Sequence, residues 1–427
     1  MELEALREEI RRADEAMAPL FVRRMEAARE IAAYKRAHSL PVEDRAQESR
    51  VLTGRGALVE DDELRPYYLR FLQKMMDVSK DWQRSRFDDG VLHVSLGDAS
   101  YDVVLRCGCL AEAGKLLNLD RRALIVTDEG VPARYAEAVA AQCASPTVVT
   151  VPEGERCKTA EVLERLLDGM LQAGFDRGDC VCAVGGGAVG DLAGLAAALY
   201  MRGIDFYNFP TTLLSQADSC VGGKTGIDLS GVKNAAGVIR QPKKVLIDPD
   251  TLETLPWKQL ACGLAEALKA GLIGDASLLT LLESLLESEM TAGSFGQVAA
   301  AALKVKIRIV ERDVSERGAR RALNFGHTIG HAIEAVTGLP HGECVALGML
   351  PMVPPALRAR LERINARMGL PTAVQADPEA VYMALLHDKK MEDGRVMAVF
   401  VETPGQYTVR AVPPETLRAG IEMVVKA

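Results

Sequence analysis

Of the six histidines in the chain, His327, His331 and His341 fall within one stretch of fifteen residues. His327 and His331 are one helical turn apart on a shared face, and His341-Gly342-Glu343 follows a turn signalled by Gly338-Leu339-Pro340. Imidazoles at this spacing suit a divalent metal, which also wants a carboxylate and, for catalysis, an open coordination position. HxxxH without the adjacent glutamate is not the zinc-protease motif, so proteolysis is excluded. Spacing alone leaves two readings open: a metal centre completed from elsewhere in the chain, or histidines that only cap helices.

A glycine run, Gly185-Gly186-Gly187-Ala188-Val189-Gly190, joins an apolar strand at 180–184 to a helix expected over 191–201. Glycines at such a junction let backbone N–H groups approach a phosphate, which points to a nucleotide; a tight structural turn is the alternative. No acid closes the next strand in the usual place, since Asp205 comes early, so an unorthodox binding mode is expected. A second cluster, Val221-Gly222-Gly223-Lys224-Thr225-Gly226, lacks the GxxxxGKS/T spacing, which excludes a Walker-type ATPase. Lys224, with Lys233-Asn234 nearby, faces either a substrate anion or solvent.

The third feature is a charge on an apolar seam. Leu3, Leu6, Ile10, Ala13, Met17, Leu20, Ala27, Ile31 and Tyr34 alternate at three-four spacing, which predicts one long helix over 3–38 with a buried seam. The seam position between Leu20 and Ala27 is Arg24, and a buried guanidinium needs a local acid or a ligand anion. Lys35 lies three turns further on; Asp44 with Glu48, and Ser79 with Gln83, are each four apart on a common face. Pro19 removes a backbone hydrogen bond inside this helix, so a kink is expected there.

Several domains are needed to position these groups, and 427 residues are roughly three times the usual ~150-residue domain. A 48% hydrophobic, 26% charged composition excludes disorder and collagen-like structure. The net charge of -8 gives no general attraction to nucleic acid or anionic membrane, so any bound anion must meet a local cationic site. The longest apolar run, 192–201, is half of the ~20 residues that cross a bilayer, and the acidic N-terminus has no signal-peptide pattern; a soluble, cytoplasmic protein is expected. Nine cysteines, an odd number, read as reduced thiols, and the Cys107/Cys109 and Cys180/Cys182 pairs suit strand faces rather than a metal clip.

Helical patterns at 3–38, 45–54 and 62–83 define an all-α module over 1–85, followed by a linker at 86–91. Extended segments near 87–97, 102–106, 123–127, 147–151 and 180–184 alternate with helices, the pattern of an α/β nucleotide-binding domain over 92–255. From 256 to 427 the chain reads as mostly α-helical, apart from a hairpin near 396–409 that turns at Thr403-Pro404-Gly405.

The front module resembles the all-helical chorismate mutases through Leu6-Arg7, Arg24, Lys35, Pro41-Val42-x-Asp44, Glu48, Ser79 and Gln83. The resemblance implies a pericyclic rearrangement of chorismate that needs no nucleophile, only placement and electrostatics. It assigns Arg7 and Arg24 to carboxylates, Lys35 and Gln83 to the ether oxygen, Asp44 and Glu48 to the ring hydroxyl and Ser79 to the ring carboxylate. Arg7 and Lys35 stand roughly 40 Å apart on one straight helix, so Arg7 must come from a second chain and a homodimer follows. Gln47 departs from the pattern, which has an arginine before Glu48. A mutase-like module kept for dimerisation, or for sensing chorismate or prephenate, is the alternative.

Over 92–415 the chain resembles 3-dehydroquinate synthase. The segments that carry this are Pro152-Glu153-Gly154-Glu155 with Lys158, the glycine run to Asp191, Tyr200-Met201-Arg202-Gly203, the stretch from Pro210 to Asp228, Gly263 to Lys269, Leu323 to Glu334, His341-Gly342-Glu343 and Asp388-Lys389-Lys390. The resemblance implies Zn2+ (or Co2+) on Glu266, His327 and His341. It implies NAD on Glu155, Lys158, Gly186, Gly187, Gly190, Asp191, Thr211, Thr212 and Lys233. The implied substrate is 3-deoxy-D-arabino-heptulosonate 7-phosphate, caged by Lys224, Lys269, Lys306, Arg202, Arg320 and Asn324, with His331 near phosphate elimination and Asp218, Asn234, Lys389 and Lys390 at further active-site positions. Hydride leaves to NAD and returns, so the cyclisation has no net oxidation. Asn324 and His331 stand as in the dehydroquinate-forming members rather than in other sugar-phosphate cyclases.

Overall fold

The computed structural model describes residues 3–37, 45–84, 90–314, 316, 318–386, 391–392 and 394–427. It divides into two compact units, Met1–His93 and Val94–Ala427.

The first unit is three helices, α1 (Leu3–Ala37), α2 (Arg45–Gly56) and α3 (Arg65–Arg84). α1 continues through Pro19; one lost hydrogen bond leaves the neighbouring turns to carry the helix. The seam expected to be buried is largely exposed in the single chain, from 44% at Leu6 to 65% at Leu20. Among the described residues of α1 the ones that turn inward are Arg24, Met25, Ala28, Ala32 and Lys35, a stripe beside the predicted seam, so Ile31 and Tyr34 stay 49% and 60% exposed. At ~1.5 Å per residue α1 is about 52 Å long and α3 about 30 Å, so α1 also outruns the helix it packs on.

The second unit begins at β1 (Val91–Val94), a strand that spans the division. Its sheet contains β2 (Tyr101–Leu105), β3 (Arg122–Asp128), β4 (Ser145–Val151), β5 (Cys180–Gly185) and β6 (Asp205–Pro210). An antiparallel hairpin, β7 (Lys224–Leu229) and β8 (Val232–Ile239), precedes β9 (Lys244–Ile247). The order β2-β9-β6-β5-β3-β4 is parallel at every pairing. Connecting helices are α4 (Ala113–Leu116), α5 (Ala133–Ala140), α6 (Ala160–Gln172) and α7 (Gly187–Leu199). β5 is buried at every residue, as a parallel strand covered on both faces requires.

After β9 the chain is mainly helical: α8 (Trp257–Gly274), α9 (Ala276–Leu285), α10 (Ala292–Arg312), α11 (His327–Thr337) and α12 (His341–Met349) are followed by three more helices. α8 is the spine of this half, buried continuously from Leu260 to Ile273, and so carries Glu266 and Lys269 into the interior. The late hairpin pairs Arg395–Thr403 with Gln406–Val412 and turns at Gly405, whose φ of 87° suits glycine.

Candidate active sites

α8, α11 and α12 bring Glu266, His327 and His341 together. Nε2 of His327 and of His341 lie 3.7 and 3.5 Å from Glu266 Oε1. The other ring nitrogens are engaged: His327 Nδ1 is 3.1 Å from the Phe325 carbonyl, and His341 Nδ1 is 2.9 Å from Glu334 Oε2. Such outer contacts turn both Nε2 atoms to one point and fix the ring orientation. The Glu266 carboxylate is buried, with Oε2 paired to Lys269 and Oε1 turned to the two imidazoles, an arrangement that suits a carboxylate destined for a cation. His331 joins the group, and ligand atoms of the three histidines lie within 4.8 Å of one another. Burial opposes charge on His341, but Glu266 and Glu334 outweigh it and raise this imidazole to about 9. Burial likewise works against Glu266, yet Lys269 and His341 hold it well below the usual carboxylate range.

A buried chain of alternating charge leads away from this point. Lys269 pairs with Glu266 and lies 3.4 Å from Asp218 Oδ1, while Lys306 Nζ is 2.9 Å from Asp218 Oδ2 and donates to the Asp218 carbonyl at 2.6 Å. Two lysines and two acids thus neutralise one another where water cannot. Burial and the neighbouring Lys269 push Lys306 down, partly offset by Asp218. Arg320, 2% exposed, donates to the carbonyls of Val314 and Gly222. Gly222 has a φ of 111°, and a side chain there would strike the Arg320 guanidinium, which accounts for the glycine. Lys224 and Asn324 both contact Glu316, a carboxylate in an irregular loop that no periodicity marks. Arg202 is exposed and has no hydrogen bond or ion pair among the described residues; with Met201 it adopts positive φ. The single chain does not bring Arg202 into this cage. Lys389 and Lys390 lie outside the described residues.

At the carboxyl ends of β5 and β6 the glycine run meets Thr211 and Thr212. Thr211 N–H donates to the Gly185 carbonyl at 2.9 Å, and a side chain at Gly186 would press on Thr212. The helix opens at Gly187, four residues earlier than expected, so Gly190 and Asp191 lie in its first turns. Behind them Lys158, 1% exposed, holds Asp191 at 2.9 Å, Glu155 at 3.5 Å and the Asn234 side chain. Lys233 pairs with Glu334 and therefore sits beside the histidine cluster. Asp205 lies at the amino end of β6 on Arg121, at 2.9 Å, away from the glycine run. The acid that closes a neighbouring strand is Asp128, on β3, which precedes β5 in the chain. Its oxygens accept the Gly130 and Gly154 N–H groups, and it borders a cavity of about 750 Å³. Asp128 had no assigned role, although an acid ending an apolar strand was visible.

In the helical unit Arg24 donates to Ser79 Oγ and to the Met75 carbonyl, the latter at 3.2 Å, and meets no carboxylate among the described residues. Ser79 is buried on α3; Glu48 faces Lys80 at 3.1 Å. Lys35 is half-buried near the end of α1, whereas Arg7 is exposed and bonded to Glu4 at 3.3 Å. Asp44 and the side chain of Gln83 lie outside the described residues.

These arrangements have relatives. Residues 148–262 and 263–391 match the N-terminal and C-terminal models of 3-dehydroquinate synthase, and residues 6–84 match chorismate mutase type II. A 3-dehydroquinate synthase from a Bradyrhizobium species is 40% identical over 78% of this chain and 95% of its own. Another, from Symbiobacterium thermophilum, is 38% identical over 77% and 99%. Among solved structures, 2-epi-5-epi-valiolone synthase from Streptomyces hygroscopicus has TM-score 0.70 and 30% identity over 77% of this chain and 98% of that one. A 2-deoxy-scyllo-inosose synthase shares the fold at TM-score 0.69 and 22% identity, covering 78% and 99%. The chain belongs to the 3-dehydroquinate synthase family and carries a chorismate mutase type II domain, making it a bifunctional shikimate-pathway enzyme.

Proposed function

We propose that residues 92–427 convert 3-deoxy-D-arabino-heptulosonate 7-phosphate to 3-dehydroquinate and phosphate with Zn2+ (or Co2+) held by Glu266, His327 and His341 beside a resident NAD. The observation that carries this is the buried Glu266 carboxylate, whose Oε1 is faced by two imidazoles whose other nitrogens are engaged. The valiolone synthase structure has NAD+ and Zn2+ bound, and the inosose synthase structure has NAD+ and Co2+, which supports the same pair here. When bound, the ion supplies a Lewis acid for adjacent substrate oxygens and the dinucleotide a hydride acceptor that gives back what it takes.

The chain's own residues do the rest. Lys269 and Lys306, set against Asp218, keep positive charge fixed at the cage wall, ready for the substrate's anionic groups without reorganisation. Arg320 and Asn324 extend that wall, and His331 can accept or deliver a proton at the departing phosphate. Lys158 holds Asp191 at the opening of α7, so backbone N–H groups of the glycine run can meet a pyrophosphate. Each of these sites is assembled within residues 92–255 and 256–427, joined through 86–91 to a mutase domain at 1–85.

In that domain Arg24, Lys35, Glu48 and Ser79 form part of a dicarboxylate site, and a second copy supplies Arg7 while covering the exposed seam of α1. Gln47 favours one further reading, in which the domain senses chorismate or prephenate rather than converting them rapidly. Two assays on one preparation test the whole. His327→Ala should abolish phosphate release from the heptulosonate phosphate and spare chorismate consumption, and Arg24→Ala should do the reverse. Full turnover by both variants in both assays would refute the assignment.

A further inference from the structure

The helical unit contains a half-buried cation that is not among the assigned site residues. Lys80 follows Ser79 on the inner side of α3, with its side chain only 17% exposed. Its Nζ stands 3.1 Å from Glu48 Oε2 and 3.2 Å from Asp77 Oδ1. A lysine that served only hydration would extend its head into water. Burial works against its charge, but Glu48 and Asp77 hold the ammonium above the usual lysine range, so the cation is fixed at neutral pH.

Its position matters as much as its charge. Arg24 on α1 meets Ser79, the residue immediately before Lys80, while Glu48 on α2 meets Lys80 itself. Three helices thus meet around two consecutive residues of α3, with Arg24 on the first and Glu48 on the second. On α2 the residue immediately before Glu48 is the uncharged Gln47. An ammonium has three N–H donors that rotate freely, and Glu48 and Asp77 take two of them.

We propose that Lys80 is a substrate-binding residue of the mutase site, donating its third N–H to a carboxylate of chorismate and supplying the positive charge that Gln47 lacks. This rests on the reading of residues 1–85 as a working mutase. Glu48, kept ionised by Lys80, accepts the ring hydroxyl of the same molecule. The lysine therefore both neutralises the empty site and orients the ligand.

The test uses the full chain. Lys80→Met should lower kcat/KM for chorismate roughly 10- to 100-fold, mostly through KM, and weaken prephenate binding in calorimetry in parallel. Dehydroquinate formation and helix content should stay as in wild type. Adding Gln47→Arg to Lys80→Met should regain most of the loss, and Lys80→Arg should keep most of the activity. Unchanged KM and prephenate affinity in Lys80→Met would overturn the proposal, as would a loss that Gln47→Arg does not relieve. Wild type that binds prephenate but leaves chorismate unconverted would sink the mutase reading, while the calorimetric arm still decides Lys80. Wild type that neither binds nor converts would sink both.

Discussion

His341 Nδ1 lies 2.9 Å from a carboxylate oxygen of Glu334, and this contact leaves Nε2 directed at Glu266. Glu334 is also paired with Lys233, so one acid joins the histidine cluster to the β7–β8 hairpin. Glu334→Gln should lower metal affinity roughly 10- to 100-fold, as loss of such an orienting partner does. A competition titration with a chromophoric chelator measures this, and an unchanged affinity would show that His341 is held in place by other contacts.

Asp218 separates two buried ammonium groups. Burial disfavours its charge, but Lys269 and Lys306 outweigh that and hold it below the usual carboxylate range. Asp218→Asn should leave Lys306 without a carboxylate and Lys269 with Glu266 alone, destabilise the second unit by about 3–5 kcal/mol and abolish dehydroquinate formation. Urea unfolding followed by far-ultraviolet circular dichroism reports the first effect. A midpoint equal to wild type would mean that the lysines find other partners.

A mutase site shared between chains has a distinctive behaviour on mixing. Arg7→Ala and Arg24→Ala should each be inactive alone, but co-refolded at equal amounts they should recover about a quarter of wild-type mutase activity, because half the dimers are mixed and each mixed dimer has one intact site. No recovery would place Arg7 and Arg24 in the same site of one chain, and an Arg7→Ala protein active by itself would place Arg7 in none.

All nine thiols are free, and Cys107 alone among them is exposed. Partial desolvation of the sulfur by its surroundings, together with the Asp250 carboxylate, raises Cys107 to about 11. The thiolate is the reactive form, so alkylation of native protein at pH 8 should be slow and confined to one site. Its rate should climb about tenfold per pH unit until the thiol titrates. Mass spectrometry that found rapid labelling at several cysteines would contradict this.

The elements that announce themselves by periodicity were legible in the sequence. The three helices of the first unit, β3 to β5 and the late hairpin are examples, because their apolar spacing reflects the face that each buries. The β7–β8 hairpin was not legible: β8 is exposed along almost its whole length and so has no alternation to read. The seam of α1 was legible as a pattern but did not mark the burial within the chain, where Ala28 and Ala32 turn inward while Ile31 and Tyr34 stay exposed. The histidine cluster stood out by spacing, whereas Glu266, about sixty residues earlier, came only with the family resemblance. Glu334 and Glu316 had no signal of their own, because their roles arise from which loops and helices meet in space.

The most direct measurement is phosphate release from the heptulosonate phosphate by protein stripped with chelator and then reloaded with Zn2+, compared between wild type and Glu266→Gln. Wild type should lose activity on stripping and regain it on reloading, and Glu266→Gln should remain inactive and bind metal weakly. A Glu266→Gln protein that holds zinc and turns over like wild type would contradict the account.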